Sequence, residues 1–186
     1  MLFICYFVAI MAIIQWNCRG FRANFNELGL LGQKYNPQAI CLQETHFKHS
    51  DSVSMRPFTI YHKLPLNTER AKGGSAILVR QGVIHSEIPL TTPLQAVAVQ
   101  LSLFKTITLC SLYIPPSQDV SSNDLEDLIR QLPKPFILLG DFNSHNPLWG
   151  SNSQDQRGKR LENFLLQNDL SIFNDGSNTY LHPATG

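Results

Sequence analysis

Four short apolar runs in this chain each stop at a polar side chain suited to a cation or a phosphate. Ile13-Ile14-Gln15-Trp16 stops at Asn17, and Ile40-Cys41-Leu42-Gln43 stops at Glu44. Leu109-Cys110-Ser111-Leu112 stops at Tyr113, and Ile137-Leu138-Leu139-Gly140 stops at Asp141, with Asn143 two residues on. Runs of this length and composition read as buried strands. Buried strands that end in a carboxylate, an amide or a phenol can converge those groups on one rim of a sheet. Carboxylate and amide oxygens are hard ligands suited to Mg²⁺, which takes few protein ligands and keeps several waters. Phosphodiester cleavage needs such an ion to offset transition-state charge, with donors aimed at the phosphate. Each element alone has a plainer explanation. An Asn after a strand is ordinarily a turn residue, Gln43-Glu44-Thr45 a solvated strand end, and Gly140-Asp141-Phe142-Asn143 an Asx-rich turn. The ordered set carries the argument.

The rest of the chain alternates strands with helices. Residues 12–16 form a first strand. Asn24 stands at the start of a helix with Phe25, Leu28, Leu31 and Tyr35 near one face, and Pro37 ends it. Gly29 and Gly32 weaken that helix. Residues 38–43, 58–64 and 75–80 read as strands, the last two separated by a loop holding Arg70, Lys72, Gly73 and Gly74. Residues 95–103 alternate, with Val97, Val99, Leu101 and Leu103 on one side. They turn at Phe104-Lys105 into residues 106–113, a hairpin that predicts a largely antiparallel sheet. Residues 123–132 read as a short acidic helix and 136–139 as a central strand covered on both faces. Residues 157–168 form an amphipathic helix through Leu161, Phe164 and Leu165, and 170–173 read as one more strand. This order fits a layered α/β or α+β sandwich.

With 186 residues, 43% hydrophobic and 16% charged, the chain can build one domain with its own core. A net charge of +1 makes no global case for a nucleic-acid partner. Its distribution is uneven: nine Lys/Arg stand against four Asp/Glu over residues 1–80, and six against ten over 81–186. A basic half facing phosphates and an acidic half holding metal would produce this, and so would chance. None of Cys5, Cys18, Cys41 and Cys110 pairs as CxxC, which argues against a zinc ribbon. Cys41 and Cys110 read as buried thiols of a reducing compartment. No charge precedes Arg19, so the first 18 residues reach the lower limit of a membrane span. Gln15 and Asn17 interrupt that run, and neither a basic n-region nor a clear cleavage site accompanies it. Residues 1–11 therefore read as an apolar N-terminal extension ahead of a domain spanning 12–186. A membrane anchor is the lesser alternative.

Five segments carry a resemblance: IIQWNCRG (13–20), ICLQETHF (40–47), KGGSAILVR (72–80), CSLYIPP (110–116) and GDFNSHNPLWGS (140–151). They resemble the endonuclease/exonuclease/phosphatase family, most of all the apurinic-type endonuclease domain of non-LTR retrotransposons of the jockey-like kind. LQET, LYxPP and GDFN are specific in combination, and Asn-Pro-Leu-Trp-Gly narrows the resemblance to the retrotransposon branch. The resemblance runs from about Ala12 onward. It implies a four-layered α/β sandwich with the active site on the rim between two sheets. Carried over by position, Glu44 is the main metal ligand and Asn17 belongs to the metal-proximal network. Asp141 positions or activates the attacking water, or shares a metal. Tyr113 donates to or orients the scissile phosphate, and Asn143 hydrogen-bonds it. His145 stands where His is frequent in this branch. The implied cofactor is Mg²⁺, with Mn²⁺ as a substitute. The implied partner is duplex DNA, nicked to expose a 3′-hydroxyl for a reverse transcriptase region that normally follows on the same polypeptide. The implied setting is intracellular, nuclear or cytoplasmic, with no stable membrane partner.

Other side chains carry weaker expectations. Arg19, Arg22, Arg70 and Lys72 are candidates for DNA phosphate contacts, against the plainer reading of a solvated basic surface. Gly73-Gly74 reads as a tight turn, and His46 and His49 as surface histidines. Trp149 reads as core or lid packing ahead of a wedge against a base. Arg157, Lys159 and Arg160 cluster where a helix begins, and a loop role is simpler there than a phosphate contact.

The same resemblance implies a C-terminal Ser-Asp-His segment, whose Asp pairs with a general-base or phosphate-stabilising His. No such motif precedes Gly186, and His182 lies ahead of where it would fall. The domain is thus expected to be incomplete at its C-terminus, with a sheet edge unpaired and part of the core open. A weak or inactive nuclease of marginal stability is the corresponding expectation. Two other functions stay open. One is a phosphatase of the same family acting on small molecules or inositol lipids, against which Asn-Pro-Leu-Trp-Gly argues. The other is a non-catalytic DNA-binding relic, against which the intact strand-end residues argue.

Overall fold

A computed structural model describes residues 2–7, 11–65, 72–174 and 176. Arg70 and His182 lie outside the described residues.

The first sheet contains β1 (Leu2–Phe7), β2 (Met11–Asn17), β3 (Ala39–Gln43), β4 (Phe58–Lys63) and β5 (Ser75–Arg80), in the order β1-β2-β3-β5-β4. β2 and β3 are parallel, and the other neighbours antiparallel. The second sheet contains β6 (Ile84–Ile88), β7 (Gln95–Ser102), β8 (Thr106–Tyr113) and β9 (Phe136–Asp141), in that order. Here β8 and β9 are parallel, and the remaining pairs antiparallel. The apolar N-terminal segment read as an extension supplies the edge strand β1. Among the described residues, no helix is long and apolar enough to cross a membrane.

Period-two alternation decides the layers. Ile13, Cys41, Ile77 and Val79 face Val97, Val99, Leu101 and Leu109 between the two sheets. The intervening residues Ile14, Ile40, Leu42 and Leu78 pack outward against Leu28 of α1 (Phe25–Tyr35) and against Phe21, Phe47 and Phe58. On the far side, Ala96, Ala98, Cys110 and Leu112 meet Leu125 and Leu128 of α2 (Ser122–Arg130) and Leu161 and Phe164 of α3 (Gln156–Gln167). Four layers result: helix, sheet, sheet, helices. The inner strands β3, β5, β7 and β8 are covered on both faces and so read as apolar.

Local chemistry sets the helix ends. Asn24 precedes α1, but its amide donates to the Cys18 carbonyl (2.7 Å) instead of capping the helix. Asn36 ends α1 in the left-handed region (φ 44°). Ser121 and Asp124 form a reciprocal capping box on α2, and the Asp155 side chain accepts from the Gly158 N–H to cap α3 (2.6 Å).

Two expectations need correction. Residues 136–139 were expected in a central strand, yet β9 ends the sheet among the described residues and is half-exposed over most of its length. The apolar run reports that both faces are packed, with Ile137 and Leu139 turned inward and Phe136 and Leu138 outward. It carries no information about hydrogen-bonded neighbours on either edge. Residues 170–173 form no strand. Asp169 takes a left-handed turn (φ 52°), and the Leu170 N–H returns to the Leu165 carbonyl, so the segment closes α3 instead of joining a ladder. Strand β6 escapes a pattern reading, because Ile84-His-Ser-Glu-Ile88 lies at an edge and buries no residue fully.

Candidate active site

The four strand ends meet. β2 and β3 are parallel neighbours, which brings Asn17 opposite Gln43, one residue before Glu44. β8 and β9 are parallel neighbours, which brings Tyr113 opposite Asp141. The two sheets face each other, so both pairs share one rim. Asn17, buried to 7% exposure, is the junction: its Nδ2 donates to Glu44 Oε1 (2.8 Å) and to Asp141 Oδ2 (2.6 Å). Its Oδ1 accepts from the Arg19 N–H (3.2 Å). The Tyr113 hydroxyl donates to Glu44 Oε1 (3.3 Å), and Asp141 Oδ1 accepts from the Asn143 N–H (3.1 Å). Asn143 Nδ2 donates to the Ile114 carbonyl (3.0 Å).

The backbone at this rim departs from relaxed geometry. Arg19, Glu44, His46 and Asn143 all take positive φ (45°, 53°, 55° and 45°) without being glycine. Such conformations cost about 1–3 kcal/mol each and cluster where a side chain must be aimed against its preference. The neighbouring Gly73 and Gly74 also take positive φ (74° and 89°). A β-carbon on Gly73 would meet Gln95 Oε1 at 2.6 Å and the Tyr113 ring at 3.3 Å. The Gly74 N–H donates to Gln95 Oε1 (2.6 Å), and the Gly73 carbonyl accepts from the His46 N–H (2.9 Å). The glycine pair is a turn wedged behind Tyr113 and braced on the Glu44 segment.

Negative charge dominates the electrostatics. Burial raises the Tyr113 phenol well above its ordinary value. The charge of Glu44, its hydrogen bond and the charge of Asp141 raise it further. Tyr113 therefore stays a proton donor across the physiological range. His46 Nε2 lies 3.6 Å from Glu44 Oε2. His46 is thus a neighbour of the site, not the plain surface histidine expected. Among the described residues, no group of three or more His, Cys, Asp or Glu forms a metal cage. The acidic feature is a carboxylate pair held apart by one amide.

The other sequence candidates separate. Asn17, Arg19, Asp141, Asn143 and His145 line one open groove of about 1230 Å³, with β9 as its floor. His145 itself is exposed, and its charge helps hold the Asp155 carboxyl below its usual value. Burial opposes that shift, and bonds from the Gly158 and His145 backbone and the charges of His145 and Arg157 outweigh it. Arg22 pairs with Asp51 (3.0 Å), and Lys72 is exposed beside the glycine turn. Trp149 donates to the Ser144 carbonyl (3.1 Å) and packs on the outer core, where it also lines the groove. Burial pushes the Cys18 and Cys110 thiols up to about 12 and Cys41 well above its ordinary value, in keeping with inert buried thiols.

Sequence reasoning missed the layer beneath the rim. Gln15 Nε2 donates to Gln43 Oε1 (2.5 Å), and Gln43 Nε2 donates to Ser111 Oγ (3.0 Å). Ser75 Oγ donates to Ser111 Oγ (2.7 Å) and lies 2.9 Å from the Ser111 carbonyl. All four side chains are buried. A buried Gln at the last position of an apolar strand was the available signal, since such a group must find partners.

Comparisons with known proteins point the same way. The Endonuclease-reverse transcriptase family model matches residues 107–185. The chain is 28% identical over 183 residues to the probable RNA-directed DNA polymerase from transposon X-element of Drosophila melanogaster, covering 95% of this chain and 20% of that protein. It is 25% identical over 169 residues to the RNA-directed DNA polymerase from mobile element jockey of the same species, covering 89% and 18%. The chain thus spans about a fifth of the length of these curated relatives. Among solved structures, the endonuclease domain of TRAS1, a telomere-specific non-LTR retrotransposon, superposes with a TM-score of 0.74 at 25% identity, covering 90% of this chain and 75% of that one. The AP endonuclease of Leishmania major shares the fold, with a TM-score of 0.65 at 14% identity, covering 83% and 66%. Sandwich architecture and sequence likeness agree: the chain is similar to the endonuclease domains of non-LTR retrotransposons and has the fold of the endonuclease/exonuclease/phosphatase type.

Proposed function

We propose that the rim is a divalent-metal-dependent phosphodiesterase site that nicks duplex DNA. The observation that carries the reading is the single Asn17 amide bridging Glu44 and Asp141 from opposite sheets, with the Tyr113 hydroxyl on the same Glu44 oxygen. Two carboxylates so close, with only an amide between them, suit a hard oxygen-seeking cation such as Mg²⁺ or Mn²⁺. Glu44 and Asp141 would hold it, and Asn17 would keep their oxygens at a fixed separation. When bound, the ion supplies positive charge against the phosphate and acidifies a coordinated water. Tyr113, protonated and half-committed to Glu44, is placed to donate to a non-bridging phosphate oxygen. Asn143 presents the remaining amide donor beside Asp141. Arg19 and Lys72, exposed near the rim, are the described candidates for flanking phosphates, and Arg22 is the weaker one because Asp51 holds it. The relatives are polymerases by name, so a reverse transcriptase region on the same polypeptide is the proposed user of the nick.

The test is nicking of supercoiled plasmid with Mg²⁺ or Mn²⁺, comparing the chain with Glu44→Ala/Asp141→Ala. The expected result is weak nicking by the first, in line with the impaired activity anticipated from the sequence, abolished by chelator and by the double substitution. Salt-dependent duplex binding with no nicking under either metal would replace this reading with a DNA-binding one.

A further inference from the structure

Arg157 stands in the first turn of α3, and its guanidinium grips four backbone carbonyls. Nη1 donates to Phe142 and to Asn143 (both 3.1 Å), and Nη2 to Pro116 (3.0 Å) and Gln118 (2.7 Å). Two of these carbonyls belong to the loop that leaves β9 and carries Asn143. The other two belong to the loop that leaves β8 just after Tyr113. The paired register of β8 and β9 stops at Tyr113 opposite Asp141. One backbone bond, Ile114 N–H to the Asp141 carbonyl (3.0 Å), and the Asn143 amide on Ile114 continue it briefly. Beyond them, Arg157 bridges the two loops.

We propose that Arg157 is a positioning residue for the reaction at this rim, fastening the loop after Tyr113 to the loop after Asp141 so that Tyr113, Asp141 and Asn143 keep one relative geometry. The proposal rests on the endonuclease reading for its consequence, but not for its geometry. Only a planar fork with donors on both terminal nitrogens can serve two carbonyl pairs at once, and a Lys ammonium cannot. The helix carrying the fork is itself seated against the β9 loop. A β-carbon on Gly158 would collide with the His145 carbonyl, and that carbonyl accepts from the Asp155 N–H (3.0 Å). Arg157-Gly158 thus acts as a unit: the glycine allows the approach and the arginine fixes it. This assigns Arg157 a task distinct from the phosphate contact that a basic cluster at a helix start first suggests.

The experiment compares the full chain with Arg157→Gln and Arg157→Lys by three readouts: hydrogen exchange over 114–118 and 142–146, duplex binding across a salt series, and plasmid nicking. Both variants are expected to lose protection in the two loops while the sheets and the rest of α3 keep theirs. The slope of log affinity against log salt should stay unchanged. Turnover should fall about 100-fold with KM roughly constant. A salt slope reduced by about one phosphate, with the loops still protected, would make Arg157 a DNA contact and overturn the proposal. Loss of protection throughout the chain would make it a general stabiliser and also overturn it. If the unsubstituted chain does not nick, the endonuclease reading fails. The exchange and salt arms still decide whether Arg157 fastens the loops.

Discussion

Tyr113 gives the rim a pH signature of its own. Its phenol loses its proton less readily when folded, because burial and the charges of Glu44 and Asp141 all disfavour phenolate. A folded pKa raised above the unfolded value of 10.0 contributes stability that is complete below pH 10 and is lost as pH rises toward the folded value. The unsubstituted chain should therefore lose stability above pH 10 more steeply than Tyr113→Phe, and the two curves should run parallel below it. Thermal melts from pH 7 to 11 measure this. Parallel curves throughout would mean that the phenol is not held in the acidic field described. At this scale the sequence was informative about identity and silent about direction. Asn17, Glu44, Tyr113 and Asp141 could each be picked out as a polar stop after an apolar run. That Asn17 turns its nitrogen toward both carboxylates, and that Glu44 and Asn143 sit at positive φ, depends on tertiary neighbours no local pattern encodes.

Among the elements, β9 delivers Asp141, and its seating on β8 depends on Gly140. A β-carbon there would run into the Leu112 carbonyl, so Gly140→Ala must push β9 away from β8. Forcing atoms into a packed interior costs about 1–3 kcal/mol, and a shift near 1 Å at a reacting group costs about 100-fold in rate. Gly140→Ala is expected to show both effects. Ser121→Ala is the control: it removes the capping box of α2, costs about 1 kcal/mol, and leaves nicking unchanged because none of the rim's hydrogen bonds involves α2. Urea denaturation and plasmid nicking on the two variants check the pair. Equal loss of activity in both would show that activity follows stability and not the position of β9. The helices and inner strands were legible because their apolar periodicity acts locally. The place of β9 in its sheet was not, since an apolar pattern records covered faces and is blind to edges. Strand β6 was hidden for the converse reason: with no face fully buried, it has no pattern to show.

The whole molecule is two sheets pressed together, and the site exists only if they keep their spacing. Most of that contact is aliphatic and can slide. The Gln15-Gln43-Ser111-Ser75 network is directional, spans both sheets, and lies one residue below Glu44. Basic residues of the N-terminal half also serve structure: Arg80 donates to the Pro37 and Gly32 carbonyls (2.7 and 3.3 Å), and Arg22 is held by Asp51. The charge imbalance between the halves is therefore a poor guide to a phosphate-facing surface. The network makes a sharper whole-molecule claim. Gln43→Ala strands the Gln15 amide and removes one of the two donors to Ser111 Oγ, and an unsatisfied buried group costs about 1–3 kcal/mol. An apolar replacement of the set, Gln15→Leu/Gln43→Leu/Ser111→Ala, removes the orphaned groups and should recover most of that stability in urea denaturation. Nicking should not recover with it, because the directional support one residue below Glu44 would be gone and the rim bonds alone would hold Glu44 against Tyr113 and Asp141. Recovery of nicking alongside stability would reduce the network to ordinary packing and place the whole burden of alignment on the rim and on Arg157.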